Sequence, residues 1–145
     1  MPFHQRIRPF NTKETYPDQN LDNDLCQAVK ARGTMVFLRG QVAQDLETSQ
    51  SLHIGDPGRQ TAVAMGNVKL LLEEAGAAMD HVCRIVVYLT DISYRDAVSQ
   101  EMGRWLKGVY PVSTGLVVSA LARSEWLVEI EVTAVIPEDA DRPQL

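Results

Sequence analysis

Apolar and polar residues alternate most cleanly near the end of the chain. In Leu127-Val128-Glu129-Ile130-Glu131-Val132-Thr133-Ala134-Val135, Val128, Ile130, Val132 and Ala134 share one face, and Leu127, Glu129, Glu131 and Thr133 share the other. A period of two predicts a strand over 126–135 that buries one side. His81–Thr90 is nearly continuous in apolar residues and predicts a strand covered on both sides. Residues 26–31 and 34–39 are two shorter β-rich runs separated by Arg32-Gly33, a spacing that reads as a hairpin. In the second run Met35 and Phe37 point one way, Val36 and Leu38 the other. Asp56-Pro57 opens a helix running to Ala75, with Met65, Val68, Leu72 and Ala75 as its apolar stripe and Gly76 as its C-terminal cap. Ser93 or Asp91 caps a second helix over about 94–107, with Val98, Met102 and Trp105 inside and Gly108 as its stop. Tyr110-Pro111 leads to a further strand over about 112–119. Residues 42–55 are polar and loop-like. Residues 1–24 read as an irregular arm with a short strand near Gln5–Arg8, and 137–145 as a frayed acidic tail.

The order ββαβαββ predicts an α+β fold. A helix between residues 39 and 81 implies a right-handed β-α-β crossover. Two helices cannot cover both sides of such a sheet, so one face is left open. Met35, Phe37, Val86 and Tyr88 lie on it by period-two counting. An apolar patch of that kind calls for burial by self-association, in a closed ring or a dimer.

A length of 145 residues predicts one domain, and 45% apolar with 23% charged residues is ordinary for a globular chain. No apolar run approaches the ~20 residues of a membrane span, and the N-terminus is too polar for a signal-peptide core, so a cytoplasmic protein without a membrane partner is expected. The net charge of −5 counts against broad nucleic-acid binding. Cys26 and Cys83 lie in apolar stretches with no ligand spacing and read as small buried hydrophobes. His4, His53 and His81 are scattered. No metal or cofactor is expected.

The candidate chemistry sits on the polar face of the last strand. Glu129 either faces solvent or occupies a pocket where a carboxylate acts as acid and base; Glu131, two residues on, reads as structural. Arg39 joins the Met35/Phe37 face, where it either recruits a substrate carboxylate through its bidentate fork or pairs with Glu129 or Glu131 of a neighbouring subunit. Ser113 and Thr114 either offer hydroxyls to a substrate or are ordinary strand polarity. Arg84 reads as structural, Arg104 and Arg123 as surface residues, and Trp105 and Trp126 as packing.

Five stretches in order resemble the RidA family (YjgF or L-PSP endoribonuclease-like proteins) over roughly residues 25–136. They are Gln27-Ala28-Val29, Arg39-Gly40-Gln41-Val42, Asn67-Val68 with Leu71–Gly76, Val86-Val87-Tyr88-Leu89-Thr90-Asp91, and Leu127-Val128-Glu129-Ile130-Glu131. The resemblance implies a chorismate-mutase-like fold and a homotrimer that binds a small-molecule substrate in clefts between subunits. Characterised members of that family hydrolyse enamine or imine intermediates such as 2-aminoacrylate to a 2-oxo acid and ammonia, and the resemblance implies hydrolysis of a small enamine or imine here, without carrying over 2-aminoacrylate itself. The family's Pro-Ala-Arg-Ser/Thr run, whose Arg binds the substrate carboxylate, reads Pro111-Val112-Ser113-Thr114-Gly115 here, with Ser113 at the Arg position. Leu25 stands at a family Tyr and Ser99 at a family Asn, while Gly40, Gln41 and Glu129 match. The resemblance thus implies a branch without the Arg anchor, with a roomier, less polar site suited to a bulkier substrate of the aminomuconate kind. The alternatives are a non-catalytic trimer that binds ligands or acts like a chaperone, and the endoribonuclease activity in the family's name, against which the acidic balance counts.

Overall fold

The computed structural model describes residues 3–138. The N-terminal segment is built into the domain. Strand β1 (Gln5–Ile7) pairs antiparallel with β4 (Ala28–Lys30), and β2 (Phe10–Asn11) pairs with β3 (Asp24–Leu25). A four-residue helix α1 (Thr12–Thr15) follows β2, with Asn11 accepting from the Lys13 N–H at its start. Arg6 fastens this layer to the body. Its guanidinium donates to the carbonyls of Phe3 at 2.8 Å, Val82 at 2.9 Å and Asp80 at 3.3 Å.

The main sheet holds β5 (Gly33–Phe37), β6 (Val82–Leu89), β7 (Val112–Val117) and β8 (Val128–Pro137) in the order β5-β8-β6-β7. The predicted hairpin between 26–31 and 34–39 does not form. The ladder groups of β4 are taken by β1, and β5 pairs instead with β8. Gly33 is therefore not a hairpin turn. It starts β5 at φ 143°, and a Cβ there would lie 2.8 Å from the Ile136 carbonyl carbon. The expected strand near Gln5–Arg8 is present, but the arm around it is more ordered than its sequence suggests.

Helix α2 (Pro57–Glu74) begins as predicted: the Asp56 carboxylate accepts from Arg59 N, and Pro57 occupies the first position. Met65, Val68 and Leu72 are fully buried. Ala75 is not part of the stripe: it is the exposed C-cap, one turn beyond the last buried position. Asp91 caps a single 3-10 turn, Ile92–Tyr94, from which α3 (Arg95–Trp105) continues. Val98 and Met102 are buried, and Trp105 is half-buried with its indole donating to Glu101.

Both long helices pack on one side of the sheet. The core they form takes in Ile85, Val87 and Leu89 from β6 and Val128, Ile130, Val132, Ala134 and Ile136 from β8. β6 and β7 run parallel, joined through α3, and β5 is parallel to β6 with β8 inserted between them. On the open face Met35 and Phe37 are 55% and 71% exposed. Val86 is buried and Tyr88 half-buried, so the wet apolar surface is narrower than predicted and lies at the sheet's edges, where Leu116 and Val117 of β7 are also exposed. β8 runs on through Pro137, so the predicted tail does not start at 137; residues 139–145 of it lie outside the described residues. No helix among the described residues is long and apolar enough to cross a membrane.

Candidate active site

Strand alternation decides where each candidate side chain points. Glu129 of β8 lies level with Tyr88 of β6, which lies level with Leu116 of β7, all on the open face. Glu131, Val86 and Thr114 form the next row on the same face. Ser113 is level with Ile85, a core residue, and so faces the helix side.

The candidates consequently fall into two groups. The first sits where the chain leaves β5 and runs along β8. Gln41 and Ile130 exchange both backbone hydrogen bonds at 2.8 Å, which fixes Gly40 against Glu129. Gln41 is buried, and its amide donates to the Arg39 carbonyl at 2.8 Å, bracing the turn. Gly40 lies directly beneath the Glu129 side chain: a Cβ at 40 would fall 2.8 Å from Glu129 Cδ and nearer still to its carboxylate oxygen. Only a glycine lets that carboxylate lie where it does. Glu129 is half-buried, and its carboxylate has no hydrogen bond or ion pair among the described residues. Glu131 is different. It accepts from the Tyr88 hydroxyl at 2.8 Å, and this hydrogen bond, with help from desolvation and nearby negative charge, pushes the phenol above its ordinary range. Arg39 and Arg84 are exposed and form no ion pair among the described residues.

The second group lines a cavity of about 320 Å³ between β7, α3 and the N-terminal layer. Leu25, Ser99 and Ser113 all reach it. Its walls are mainly apolar, from Leu21, Val87, Leu89, Val98, Met102 and Leu106. Thr114 points to the open face and is not part of it, and neither are Arg39, Gly40, Gln41 and Glu129. Across β8, β6 and β7 the two groups are separated by two strand spacings, roughly 10 Å, and they occupy opposite faces of the sheet. A single chain does not bring them together.

Two polar residues of the cavity carry no signal in the strand pattern. Asn23 donates to the Ser99 carbonyl at 2.9 Å, and its own Oδ1 is buried without a partner among the described residues. Arg95 lies one helical turn before Ser99, and that i, i+4 spacing is the sequence cue that places the two on one face. A third unforeseen residue is Gln60, fully buried in α2. It donates to the carbonyls of His53 and Glu125 and accepts from Leu127 N at 2.9 Å, so it holds the start of β8, and hence Glu129, to the helix layer.

The remaining candidates have structural places. Cys26 and Cys83 are buried free thiols, and desolvation pushes both above their ordinary range, which suits inert packing. Arg123 pairs with Glu125 at 3.0 Å beside Trp126, and Arg104 pairs with Glu101 at 3.6 Å. Among the described residues no group of three or more His, Cys, Asp or Glu could hold a metal.

One four-stranded mixed sheet, a one-sided helix layer and a carboxylate seated on a glycine on the sheet's open face define a small α+β protein whose polar site faces away from its core. The chain belongs to the RidA/YjgF family: residues 20–136 match the family model described as Endoribonuclease L-PSP. It is similar to Protein DfrA of Myxococcus xanthus, 36% identical over 110 residues that cover 75% of this chain and 82% of that protein. It is also 28% identical to a 2-iminobutanoate/2-iminopropanoate deaminase of Dermatophagoides farinae, covering 76% of this chain and 84% of that one. Among solved structures it resembles RidA from a Psychrobacter species, with a TM-score of 0.66 at 32% identity over 77% of this chain and 87% of that one.

Proposed function

We propose that the protein hydrolyses a small enamine or imine, releasing ammonia and a carbonyl product, and that it works as a homotrimer with each site shared by two subunits. The observation that carries the reading is Glu129: half-buried, free of any ion pair among the described residues, and held over Gly40. A similar protein bearing the name of an imine deaminase supports the reaction class.

The chemistry needs little more than one such group. The C=N bond is electrophilic when its nitrogen is protonated. A water held by the Glu129 carboxylate attacks the carbon and gives its proton to Glu129, forming a carbinolamine. Glu129 then returns the proton to nitrogen and takes the hydroxyl proton as the C–N bond breaks, so that ammonia leaves as the carbonyl forms and carries that proton away as ammonium. A positioned carboxylate supplies orientation and proton transfer together. Arg39 is exposed one residue before Gly40, and in this reading it meets an anionic group of the substrate.

Sharing between subunits follows from the division of the candidates. Glu129 and Gly40 lie toward the β5–β8 side, and the cavity with Leu25, Ser99 and Ser113 lies under the β7 edge. Joining them takes a head-to-tail contact between two different patches, and such contacts close into rings. The exposed apolar residues lie at the same two edges, Met35 and Phe37 on one and Leu116 and Val117 on the other.

One observation favours a second reading. Ser113, which the resemblance sets at the family's Arg position, lines a mainly apolar cavity, an arrangement suited to holding a ligand without turning it over. A single assay separates the two. An enamine or imine generated in situ is followed by ammonia release with wild-type protein and Glu129→Gln. Deaminase function predicts acceleration by the wild type and a loss on the order of 10²-fold or more in the variant. Equal rates with and without protein over a broad imine panel would leave only ligand binding.

A further inference from the structure

One buried amide ties together the two runs of chain that carry Gly40 and Glu129. Gln60, near the start of α2, is wholly buried. Its Nε2 donates to the His53 carbonyl at 3.2 Å and to the Glu125 carbonyl at 2.9 Å, and its Oε1 accepts from Leu127 N at 2.9 Å. The carbonyls can only accept and the N–H can only donate, so the amide has one orientation. His53 belongs to the run that follows Gly40: Leu52 N donates to the Ala43 carbonyl at 2.9 Å, and Gln44 bridges to Ser51, so this run folds back on itself. Glu125 and Leu127 belong to the run that enters β8. There the ladder with β6 ends on an uneven rung. Thr90 N donates to the Leu127 carbonyl at 3.1 Å, but the Leu127 N–H goes to Gln60. Glu129 is thus strung between two fixed points, Leu127 held by Gln60 and Ile130 held by Gln41.

We propose that Gln60 is a positioning residue for the reaction: from the helix side of the sheet, it sets where the Glu129 carboxylate lies over Gly40 on the open face. The rates that follow rest on the deaminase reading; the placement of the carboxylate does not. Without the amide, each of the three backbone groups loses a buried partner, which is costly enough to make the segments shift. The last rung of the β6–β8 ladder then loosens two residues before Glu129, and the run after Gly40 loosens with it. Gln60 takes no part in lining the cavity. Its loss therefore disturbs the acid and not ligand contacts, which is the signature of a lower kcat at unchanged KM.

The test uses the full-length protein and Gln60→Met, which keeps the length of the side chain and none of its hydrogen bonds. Gln60→Glu, which keeps an acceptor for Leu127 N, is the milder variant should the first not fold. With an imine generated in situ, kcat falls about tenfold or more and KM stays within about twofold. Combined with Gly40→Ala, the loss is smaller than the product of the two single losses, because both displace one carboxylate. The residual rate of Glu129→Gln is not lowered further. Placement is read without turnover by nuclear magnetic resonance on isotope-labelled glutamate. The Glu129 δ-carbon signal, recognised by its loss in Glu129→Gln, moves in the Gln60 variant. The Glu131 signal, beyond the Ile130–Gln41 bonds, stays where it is. An unmoved Glu129 signal, an unchanged kcat in the folded variant, or losses that multiply with Gly40→Ala overturn the proposal. If the wild type hydrolyses no imine but the Glu129 signal alone moves, the deaminase reading fails while the positioning by Gln60 stands.

Discussion

Glu129 and Glu131 leave the same face of one strand two residues apart, and their surroundings separate them. Glu131 is exposed and accepts from Tyr88; Glu129 is half-buried, without a partner among the described residues, over the bare backbone of Gly40. A methyl group at 40 displaces a flexible carboxylate, not packed backbone, so Gly40→Ala is expected to leave the fold intact and move the acid. Circular dichroism and thermal midpoint should stay close to wild type while imine hydrolysis falls about tenfold or more, in keeping with the sensitivity of catalysis to small misplacements. Retained activity would separate the Gly40 contact from function. Which of the two carboxylates is available for chemistry was legible only through the family resemblance, because strand alternation gives both the same face. Asn23 and Arg95 were not foreseen: one comes from the N-terminal layer and the other from the first turn of α3, and no local period links them.

Among the elements, the two central strands and the start of α2 were legible because each signal is local. Alternation marks β8, a continuous apolar run marks β6, and Asp56-Pro57 marks the cap. The β1–β4 pairing was not legible, since it joins segments more than 20 residues apart through a polar stretch, and nearness in sequence favoured a hairpin instead. The loop before α2 is held by a polar cluster around Glu125. This carboxylate accepts from Arg123 at 3.0 Å and Ser51 at 2.8 Å, and Ser51 in turn accepts from the Trp126 indole at 3.1 Å. The Arg123 hydrogen bond first, then the backbone and Ser51, hold the Glu125 carboxyl below its ordinary value of 4.5. A depressed carboxyl contributes stability that is present above its unfolded value and lost as pH falls through the folded one. The stability difference between wild type and Glu125→Gln is therefore expected to be constant near neutrality and to shrink below pH 4.5. Urea midpoints at low ionic strength check this, since salt screens so exposed a pair. A difference that grows in acid would reverse the sign assigned to Glu125.

At the scale of the whole molecule, one chain holds the candidate residues in two separate places. The carboxylate and its glycine lie toward the β5–β8 side; the cavity with Leu25, Ser99, Ser113 and Arg95 lies on the helix side of β7. One-sided helix cover is the ground for expecting a closed ring or a dimer, but the separation of the two groups emerged only when the sheet order put β7 and β5 at opposite edges. A shared site makes a strong demand on mixed assemblies. Glu129→Gln removes the acid and leaves the cavity; Ser113→Trp, at an exposed strand position, blocks the cavity and leaves the acid. Each variant alone should be inactive as a homo-oligomer of unchanged mass. When the two are unfolded together, refolded at equal concentration and assayed for ammonia release, random assembly around a ring gives one intact site in about four, half of the acids meeting half of the cavities. Recovery of roughly a quarter of wild-type activity is the predicted result; a mixture no more active than either variant alone, from oligomers shown by mass to contain both chains, would contradict a site built from two subunits.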